Sequence, residues 1–327
     1  MKRIFIAIVL VLLVFSICSC NGSHFDEPEE TPEASETVFE SESQAPETEP
    51  ESEPESEIES ESEVPVETEP PKIEYSDEPL KVMSYNVYTS SPDRTRVKKV
   101  VGNINSYDPD VIGVQEFNYS WSVVLGMVAA DFNKTYEMVG EPRLEPSDKS
   151  NNNEYSAIFY KKDKFNLIET DTYWLSDTPD KVSKFEGTEY YRIMTYAVLE
   201  RKSDGARFIH FNTHIATDEV SRHKQIEVLL ALAGTVLEKH GDLPLYFTGD
   251  FNMTPGDAGY GMMLDWLLED TRHMIEPVNT KPTCGNSRID YCFVSKGDFT
   301  VKAFDVGYGL EGSDHNLVYA EIGFKTE

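Results

Sequence analysis

Basic residues are scarce in this chain of 327 residues. Lysine and arginine number 29 against 59 aspartates and glutamates, which gives a formal net charge of −30 at pH 7. Neutralisation of phosphates by basic side chains dominates non-specific affinity for DNA, and the basic residues here form no cluster. The composition therefore argues against a strong non-specific DNA-binding protein.

Several catalytic motifs are also absent. There is no Gly-x-Ser-x-Gly turn to carry a nucleophilic serine, which argues against a Ser/His/Asp hydrolase, and there is no glycine-rich phosphate loop. The chain has only four cysteines and seven histidines, whereas a zinc site would need more of these residues at ligand spacing. No internal repeat of solenoid period is present.

The longest apolar run lies near the start of the chain and is too short to span a bilayer comfortably. It extends from Ile4 to Ile17 after a positively charged start, and it is followed by Cys18-Ser-Cys20. Residues 1–20 resemble a bacterial lipoprotein signal peptide, which implies that Cys20 carries the lipid. The alternatives are an ordinary secretory signal and an uncleaved anchor. All three interpretations export the remainder of the chain, and we expect a lipid-anchored protein on the extracellular face of a bacterial cell membrane.

Residues 21–79 differ in composition from the rest of the chain. Glutamate, serine, threonine and proline dominate, with 22 acidic residues against one lysine. Such a segment cannot bury enough apolar surface to offset its chain entropy. We interpret it as a disordered acidic stalk, with a calcium-binding or protein-binding tail as the alternative. At the rise of a polyproline II helix it would reach at most about 180 Å.

Residues 80–327 have a globular composition and suit one domain. Predicted strands outnumber predicted helices, and the strand-rich run from Tyr155 to Ile215 contains no helix. We expect an α+β domain with two packed sheets and helices outside. The predicted helices cover residues 94–105, 121–132 (with Ser120 as N-cap), 220–240 and 260–268.

Polar side chains follow many of the predicted strands. The stretch Leu245-Tyr-Phe-Thr-Gly-Asp-Phe-Asn252 is the clearest example, and in extended chain Asp250 and Asn252 would share one face. The full set has four carboxylates, two imidazoles and two carboxamides. It comprises Asn86, Glu116, His214, Asp250, Asn252, Asp290, Asp314 and His315. Carboxylate-rich sites suit hard cations such as Mg²⁺, with Mn²⁺ and Ca²⁺ as alternatives, and a cation beside imidazoles suits a phosphoryl group.

Six short blocks carry these residues. They are Ser84-Tyr-Asn86, Pro109-Asp-Val-Ile-Gly-Val-Gln-Glu116, Asn212-Thr-His214, Gly249-Asp-Phe-Asn252, Arg288-Ile-Asp-Tyr291 and Ser313-Asp-His315. In this order they resemble the endonuclease/exonuclease/phosphatase superfamily, which has the DNase I-like fold. The resemblance implies a four-layer α/β sandwich with two central sheets, and a site at one end where their loops meet.

The resemblance also implies a metal site. Glu116 would be the principal ligand, Asp314 a second metal-side ligand, and Asn86 would hold the metal or the phosphate in place. Tyr88 stands where some relatives carry a further acidic residue, so we expect a single metal ion.

Catalytic roles follow from the same blocks. Asp250 would orient or deprotonate the attacking water, and Asn252 would help to hold it. His315 would contact the phosphate with Asp290 as its orienting carboxylate. His214 would hydrogen-bond the phosphate or assist the leaving oxygen.

Other residues leave alternatives open. Arg192 resembles an arginine near the phosphate in some relatives, and Trp174 either lines the cleft as a substrate-binding residue or belongs to the core. We interpret His210, deeper on the same strand as His214, as a core histidine. Cys284 and Cys292 form a disulfide or stay free.

We therefore predict a Mg²⁺-dependent, monomeric phosphoesterase. Cleavage of phosphodiester bonds in extracellular nucleic acid comes first, and a phosphatase or phospholipase-C-like activity on inositol phosphates or sphingomyelin is the alternative. A surface binding module without turnover is the alternative of another class. The run from Glu141 to Glu154 is the predicted specificity loop.

Overall fold

The computed structural model describes residues 76–325. The strands are β1 (Leu80–Asn86), β2 (Val111–Asn118), β3 (Tyr136–Val139), β4 (Glu154–Lys161), β5 (Phe165–Trp174), β6 (Ile193–Arg201), β7 (Arg207–His214), β8 (Leu245–Asp250), β9 (Leu268–Asp270), β10 (Asp290–Ser295), β11 (Phe299–Val306) and β12 (Val318–Phe324). The helices are α1 (Arg94–Tyr107), α2 (Tyr119–Val128), α3 (Ala130–Thr135), α4 (Glu219–His240) and α5 (Ala258–Asp265). The predicted signal peptide, its lipidation site Cys20 and nearly all of the predicted stalk lie outside the described residues. Between residues 76 and 325 no helix has the length and apolar character needed to cross a membrane.

The twelve strands form two sheets of six. The first sheet has the order β11-β12-β1-β2-β4-β3, and the second has the order β5-β6-β7-β8-β10-β9. Each sheet contains one parallel pair near its centre, β1 with β2 and β7 with β8, and its other pairs are antiparallel. Both sheets are therefore mixed.

Three apolar cores separate four layers. The core between the sheets contains Val82 and Val111 from the first sheet and Phe208 and Tyr246 from the second. Helices α1 and α2 cover the outer face of the first sheet, and α4 and α5 cover the outer face of the second. The chain is therefore the α+β sandwich that the sequence predicts, with its two sheets packed face to face.

Helix α2 begins earlier and ends earlier than the sequence predicts. Its N-cap is Asn118 rather than Ser120, because the Asn118 side chain accepts the backbone N–H of Trp121. The hydroxyl of Ser120 instead donates to the side-chain oxygen of Asn151. The helical geometry ends at Ala129, and the next helix, α3, begins directly after it.

The helix predicted over residues 260–268 is also displaced. Asp257 caps α5 through the N–H of Gly259, so the helix starts at Ala258 and ends at Asp265. Leu267 then adopts a left-handed φ of 71°. Leu268 pairs with Ser295 as the start of β9, a short strand that the sequence pattern does not reveal.

A buried polar network joins the two sheets beneath their strand ends. Gln115 on β2 donates to the side-chain oxygen of Asn212 on β7 at 2.7 Å, and Thr248 on β8 donates to the same oxygen at 3.0 Å. The Asn212 amide in turn donates to the backbone carbonyls of Val114 and Ala157 in the first sheet. Because these hydrogen bonds cross from sheet to sheet, they fix how the strand ends above them face one another.

Candidate active site

The parallel strand pairs bring the predicted site residues together. In the first sheet the last residue of β1, Asn86, is paired with Gln115 of β2. In the second, His214 of β7 and Asp250 of β8 are paired, and Asp250 also faces Asp290, the first residue of β10. The carboxyl ends of parallel strands meet at one edge of a sheet, where ligands commonly bind. Both sheets present such an edge at the same end of the sandwich.

Asn86 connects the two sheets at this end. Its amide nitrogen donates to Glu116 Oε1 at 2.9 Å and to Asp250 Oδ2 at 3.0 Å. Its oxygen accepts the backbone N–H of Tyr88 at 3.0 Å. The other oxygen of Glu116 accepts the N–H of Thr89 at 2.7 Å. One carboxamide thus holds two acidic side chains from different sheets in a fixed relation.

Three residues at the site have a positive φ, in the left-handed region that residues with a side chain rarely adopt. The φ angles are 60° for Glu116, 62° for Tyr88 and 49° for Asn252. Glu116 lies at a bulge of β2, where the register with β4 shifts between Val114 and Phe117. Backbone strain that clusters in this way is typical of functional sites.

Asn252 differs from its predicted position. The prediction assumed extended chain beyond β8, whereas the left-handed turn directs the Asn252 amide to the backbone carbonyl of Ile215 at 3.0 Å. The backbone N–H of Asn252 donates to Asp250 Oδ1 at 2.9 Å. Asn252 therefore fixes the Asp250 carboxylate through its backbone and anchors the loop after β7 through its side chain.

His315 and Asp290 form a buried charged pair. His315 Nδ1 lies 2.9 and 3.1 Å from the two oxygens of Asp290, and His315 Nε2 lies 3.7 Å from Asp250 Oδ2. Burial opposes protonation of His315, but the charge and hydrogen bond of Asp290, with the charge of Asp250, outweigh it and raise the His315 pKa to about 10. The ring is therefore an imidazolium at neutral pH.

Asp250 occupies the centre of the cluster and is itself fully buried. Burial, followed by the charge of Asp290, raises the pKa of Asp250 to about 7. The charge of His315 and the hydrogen bonds from Asn252 and Asn86 limit this rise. A carboxylate with a pKa near neutrality is suited to accept a proton.

His214 faces Asp250 from the other side. Its Nε2 lies 3.5 Å from Asp250 Oδ2, and its Nδ1 lies 4.0 Å from Glu154 Oε2. Burial, together with the charges of Arg192 and Arg143, holds the pKa of His214 well below its usual value. In contrast to His315, this imidazole is neutral.

Two groups of potential metal ligands lie within residues 76–325: Glu116, His214 and Asp250 form one, and Asp250, Asp290 and His315 form the other. Within each group the ligand atoms lie within 4.8 Å of one another. The protonated His315 cannot ligate a metal, so the first group fits better. Its two carboxylates suit a hard cation.

Asp314, the predicted second metal-side residue, belongs to neither group. It lies exposed next to His315, and the preceding Ser313 anchors this turn by donating its hydroxyl to the Asn86 carbonyl at 2.6 Å. The structure thus places Asp314 at the rim of the site.

The predicted substrate-binding residues have different surroundings. Arg192 is buried beside His214, in a pocket that Arg143 and Glu154 also line. Trp174 is half-buried, and its Nε1 donates to the backbone carbonyl of Arg143 at 2.8 Å. Trp174 thus holds the backbone of Arg143, which lies next to Arg192.

Sequence reasoning missed Arg143 and Glu154. Arg143 Nη1 donates to Glu154 Oε2 at 2.9 Å, and both side chains are buried. Glu154 begins β4 at the same end of the sandwich, so it carries the same signal as the residues that were identified, an acidic residue at a strand boundary. Arg143 has no comparable signal, since it lies in the irregular run from Glu141 to Glu154.

Two further expectations concern residues away from the site. His210 is fully buried, with its Nε2 2.7 Å from the hydroxyl of Thr248, so it is the core histidine that the sequence predicts. Cys284 and Cys292 are free thiols, which decides the disulfide question. Burial raises the pKa of Cys292 to about 12.

Comparison with known proteins agrees with this geometry. The model of the endonuclease/exonuclease/phosphatase family matches residues 83–315. A mannosyl-6-phosphatase from Bacteroides thetaiotaomicron is similar, with 26% identity and a TM-score of 0.63, over 75% of this chain and 100% of that one. Another family member from the same species has 25% identity and a TM-score of 0.64, over 77% of this chain and 97% of that one.

A curated relative from Arabidopsis thaliana, carbon catabolite repressor protein 4 homolog 3, is 25% identical over 185 residues. The match spans 54% of this chain and 37% of that protein.

Two six-stranded sheets that meet at a shared site define a DNase I-like sandwich. With most of its described residues matched by the family model, the chain belongs to the endonuclease/exonuclease/phosphatase family. It is thus a hydrolase of a family that acts on phosphate esters.

Proposed function

We propose that this protein is a Mg²⁺-dependent phosphoesterase that cleaves phosphodiester bonds. The observation that carries the proposal is the convergence of unlike groups around Asp250. A carboxylate with a raised pKa lies between a protonated imidazole, His315, and a neutral imidazole, His214. Glu116 is connected to the same cluster through Asn86.

Glu116 is the carboxylate that would hold the metal ion, and Asn86 fixes its position relative to Asp250, which stays free to act as a base. A bound divalent cation supplies positive charge for the phosphate and lowers the pKa of water. Glu116 cannot rotate freely, because each of its oxygens accepts a hydrogen bond from Asn86 or Thr89. The ligand geometry is thus largely set by the protein.

The protein's own groups provide the proton transfers. Asp250 accepts a proton from the attacking water, with Oδ1 held by the N–H of Asn252 and Oδ2 facing both imidazoles. His315, oriented and charged by Asp290, donates Nε2–H to a phosphoryl oxygen as negative charge grows there. His214 Nε2 faces the same space and hydrogen-bonds the phosphate or the leaving oxygen.

Hydrolysis of phosphomonoesters is the second candidate reaction. The 26% identity to a mannosyl-6-phosphatase over the whole of that chain favours it. So does the acidic composition, which opposes the approach of a polyanionic duplex. Phospholipase-C-like cleavage of sphingomyelin and hydrolysis of inositol phosphates are further candidate reactions, and the substrate panel below includes both substrates.

We also propose that the enzyme acts outside a bacterial cell as a lipid-anchored monomer. The lipoprotein-like residues 1–20, with Cys20 as the lipid-bearing residue, and the acidic composition of residues 21–79 support this location. Incorporation of labelled palmitate that is lost in Cys20→Ala would test the anchor.

A substrate panel tests the reaction. Plasmid DNA, RNA, sphingomyelin, an inositol polyphosphate, mannose 6-phosphate and bis-p-nitrophenyl phosphate are each incubated with Mg²⁺, with Mn²⁺ and with EDTA. Asp250→Ala and His315→Ala accompany the wild type, and Asp242→Ala, an exposed aspartate just before β8, is the matched control.

The outcomes separate the candidates. Metal-dependent nicking of plasmid that is lost in both site variants but kept in Asp242→Ala supports a phosphodiesterase. Release of phosphate from a monoester with intact plasmid supports the phosphatase. A folded protein that hydrolyses nothing in the panel would instead support a binding module.

A further inference from the structure

An open groove runs along the first two turns of α2, close to the end of β2 that carries Glu116. It has a volume of about 330 Å³ and is lined by Ser91, Pro92, Tyr119, Ser120, Val123 and Val124. Small-molecule sites commonly have volumes of about 300 to 1,000 Å³. The groove is therefore large enough to hold one ring system with its substituents.

Both walls of the groove are attached to Glu116. On one side, Tyr119 follows Glu116 by three residues and begins α2. On the other side, Thr89 precedes Ser91 by two residues, and its backbone N–H donates to Glu116 Oε2 at 2.7 Å. The Asn118 amide links the walls by donating to the Thr89 hydroxyl at 2.9 Å. The groove therefore opens beside the carboxylate that would hold the metal ion, where the part of a substrate next to the cleaved phosphate would lie.

The predicted specificity loop, from Glu141 to Glu154, is fixed against the same groove. Asn151 connects the loop to both walls. Its backbone carbonyl accepts the Thr89 hydroxyl at 2.9 Å, and its side-chain oxygen accepts the Ser120 hydroxyl at 2.9 Å. The residues of this loop just before Asn151 therefore lie at the groove.

The groove combines an aromatic surface with a positive charge. Tyr119 is 44% exposed, and the Lys149 ammonium from the specificity loop lies 4.8 Å from the centroid of the Tyr119 ring. Lys149 donates to the backbone carbonyl of Pro146 at 2.7 Å, and among residues 76–325 no carboxylate lies within salt-bridge distance of it. Its charge is therefore available to a bound anion.

These features together match a nucleotide better than an acyl chain. A nucleobase stacks on an aromatic side chain, has polar edges and is flanked by phosphates. Tyr119 offers the stacking surface, the Ser91 hydroxyl offers a polar contact, and Lys149 offers the charge for a flanking phosphate. An acyl chain would use only the apolar wall formed by Val123 and Val124, and it would bring no counter-ion to the ammonium.

We propose that this groove binds the nucleobase next to the phosphodiester bond that is cleaved, with the base stacked on Tyr119 and its flanking phosphate in contact with Lys149. The inference rests on the proposed function and narrows its substrate to diesters of nucleotides. Tyr119 and Lys149 are then specificity-determining residues outside the cluster that reacts at Asp250.

The experiment measures kcat/KM of the full chain with Mg²⁺ on thymidylyl-(3′→5′)-thymidine and on two analogues of it. Each analogue has hydrogen in place of the base on one of the two sugars, so the phosphate and both sugars are unchanged. The variants are Tyr119→Ala, Tyr119→Phe and Val123→Trp, the last of which fills the groove with a ring. Ile168→Ala is the matched control, since Ile168 is also 44% exposed and lies on β5, at the edge of the other sheet.

We expect the loss of one of the two bases to lower the wild-type kcat/KM at least tenfold. The same comparison should give a ratio close to one in Tyr119→Ala and Val123→Trp, and the wild-type ratio in Tyr119→Phe and Ile168→Ala. Thermal melting of each variant confirms that it is folded. Wild-type ratios near one for both analogues would overturn the proposal, as would a loss in Tyr119→Ala that is equal on the dinucleotide and on its analogues.

A terminal phosphate tests the part of Lys149. With a phosphate added on the side of the required base, the dinucleotide should have a wild-type kcat/KM at least threefold higher, and Lys149→Gln should remove this gain. No gain in the wild type would overturn the contact. Hydrolysis of sphingomyelin that is lost in Tyr119→Ala, with the dinucleotide left intact, would assign the groove to an acyl chain instead.

Failure of the proposed function gives a different result, since no substrate is then hydrolysed. Calorimetric titration with the dinucleotide in EDTA tests the groove alone. Binding that weakens at least tenfold in Tyr119→Ala and is retained in Ile168→Ala supports a nucleobase groove without hydrolysis. The absence of binding to the wild type, or the same affinity in both variants, refutes it.

Discussion

His210 should make the protein lose stability in mild acid, and His210→Gln should remove the contribution that His210 makes to this loss. The imidazole is fully buried, and its ring stacks on Tyr246 with centroids 4.4 Å apart. The Thr248 hydroxyl donates to Asn212, so it accepts from His210 Nε2–H, and the ring is neutral. Burial lowers the pKa of His210 to about 3.

The sign and the size of the effect follow from proton linkage. An exposed histidine in the unfolded chain has a pKa of about 6.5. Between pH 6.5 and pH 3 the unfolded state therefore binds a proton that the folded state excludes, and the free energy of unfolding falls as the pH falls. From pH 7.5 to pH 5.5 this one group should cost about 1.4 kcal/mol.

Urea unfolding at pH 7.5 and pH 5.5, followed by tryptophan fluorescence, measures the effect. The wild type should be more stable than His210→Gln at pH 7.5 by roughly 1 kcal/mol, because its hydrogen bond to Thr248 is better formed. That difference should shift by about 1.4 kcal/mol toward the variant at pH 5.5. The other histidines are common to both proteins, so the comparison isolates His210. A difference that stays constant within about 0.4 kcal/mol would refute the reasoning.

Three further predictions concern packing, catalysis and the metal. Gly113→Ala should lower the free energy of unfolding in urea by about 3 kcal/mol or more, since the added Cβ would lie 1.9 Å from the Thr248 hydroxyl. Gly102→Ala is the control and should cost nothing, since nothing lies within 4 Å of its added Cβ. Equal stability of the two variants would contradict the packing argument. Asp290→Asn should lower kcat about 100-fold or more on any substrate that the wild type hydrolyses, because His315 loses its orienting charge. An unchanged kcat would show that the His315–Asp290 pair has only a structural role. Mg²⁺ should raise the melting temperature of the wild type, and EDTA should reverse the rise. Glu116→Gln should abolish the rise, and an equal rise in that variant would place the metal elsewhere.

The sequence predicted most of the residues that the structure brings together, because of where its polar residues stand. Asn86, Glu116, His214 and Asp250 each stand at or near the end of a strand-forming run, and polar groups inside a buried strand are costly unless hydrogen bonds satisfy them, as they do for His210 and Asn212. Parallel strands then bring those ends to one edge of the sheet. A local pattern therefore predicted that polar residues from distant parts of the chain would lie together. The same reasoning failed for Asn252, because a left-handed turn replaced the extended chain on which it relied.

The irregular segments were not predictable in this way. The end of α2 at Ala129 and the short strand β9 depend on contacts that a periodic pattern does not contain. Arg143 comes from a loop and reaches the site only because it donates to the backbone carbonyl of Asn152 and to the Glu154 carboxylate. A single arginine between a proline and a leucine carries no signal for such a position.

The sequence by itself determined the class of the domain and which polar residues stand at the ends of its strands. It also determined the contrast in composition between the domain and the acidic segment before it. Alternation, charge and residue order are all local properties. Only the tertiary structure decided that His315 is protonated while His214 is neutral. The two histidines differ in what the packing places beside them, Asp290 in one case and two arginines in the other. Because desolvation and neighbouring charges set a pKa, the division of labour between two chemically identical side chains is fixed by the fold.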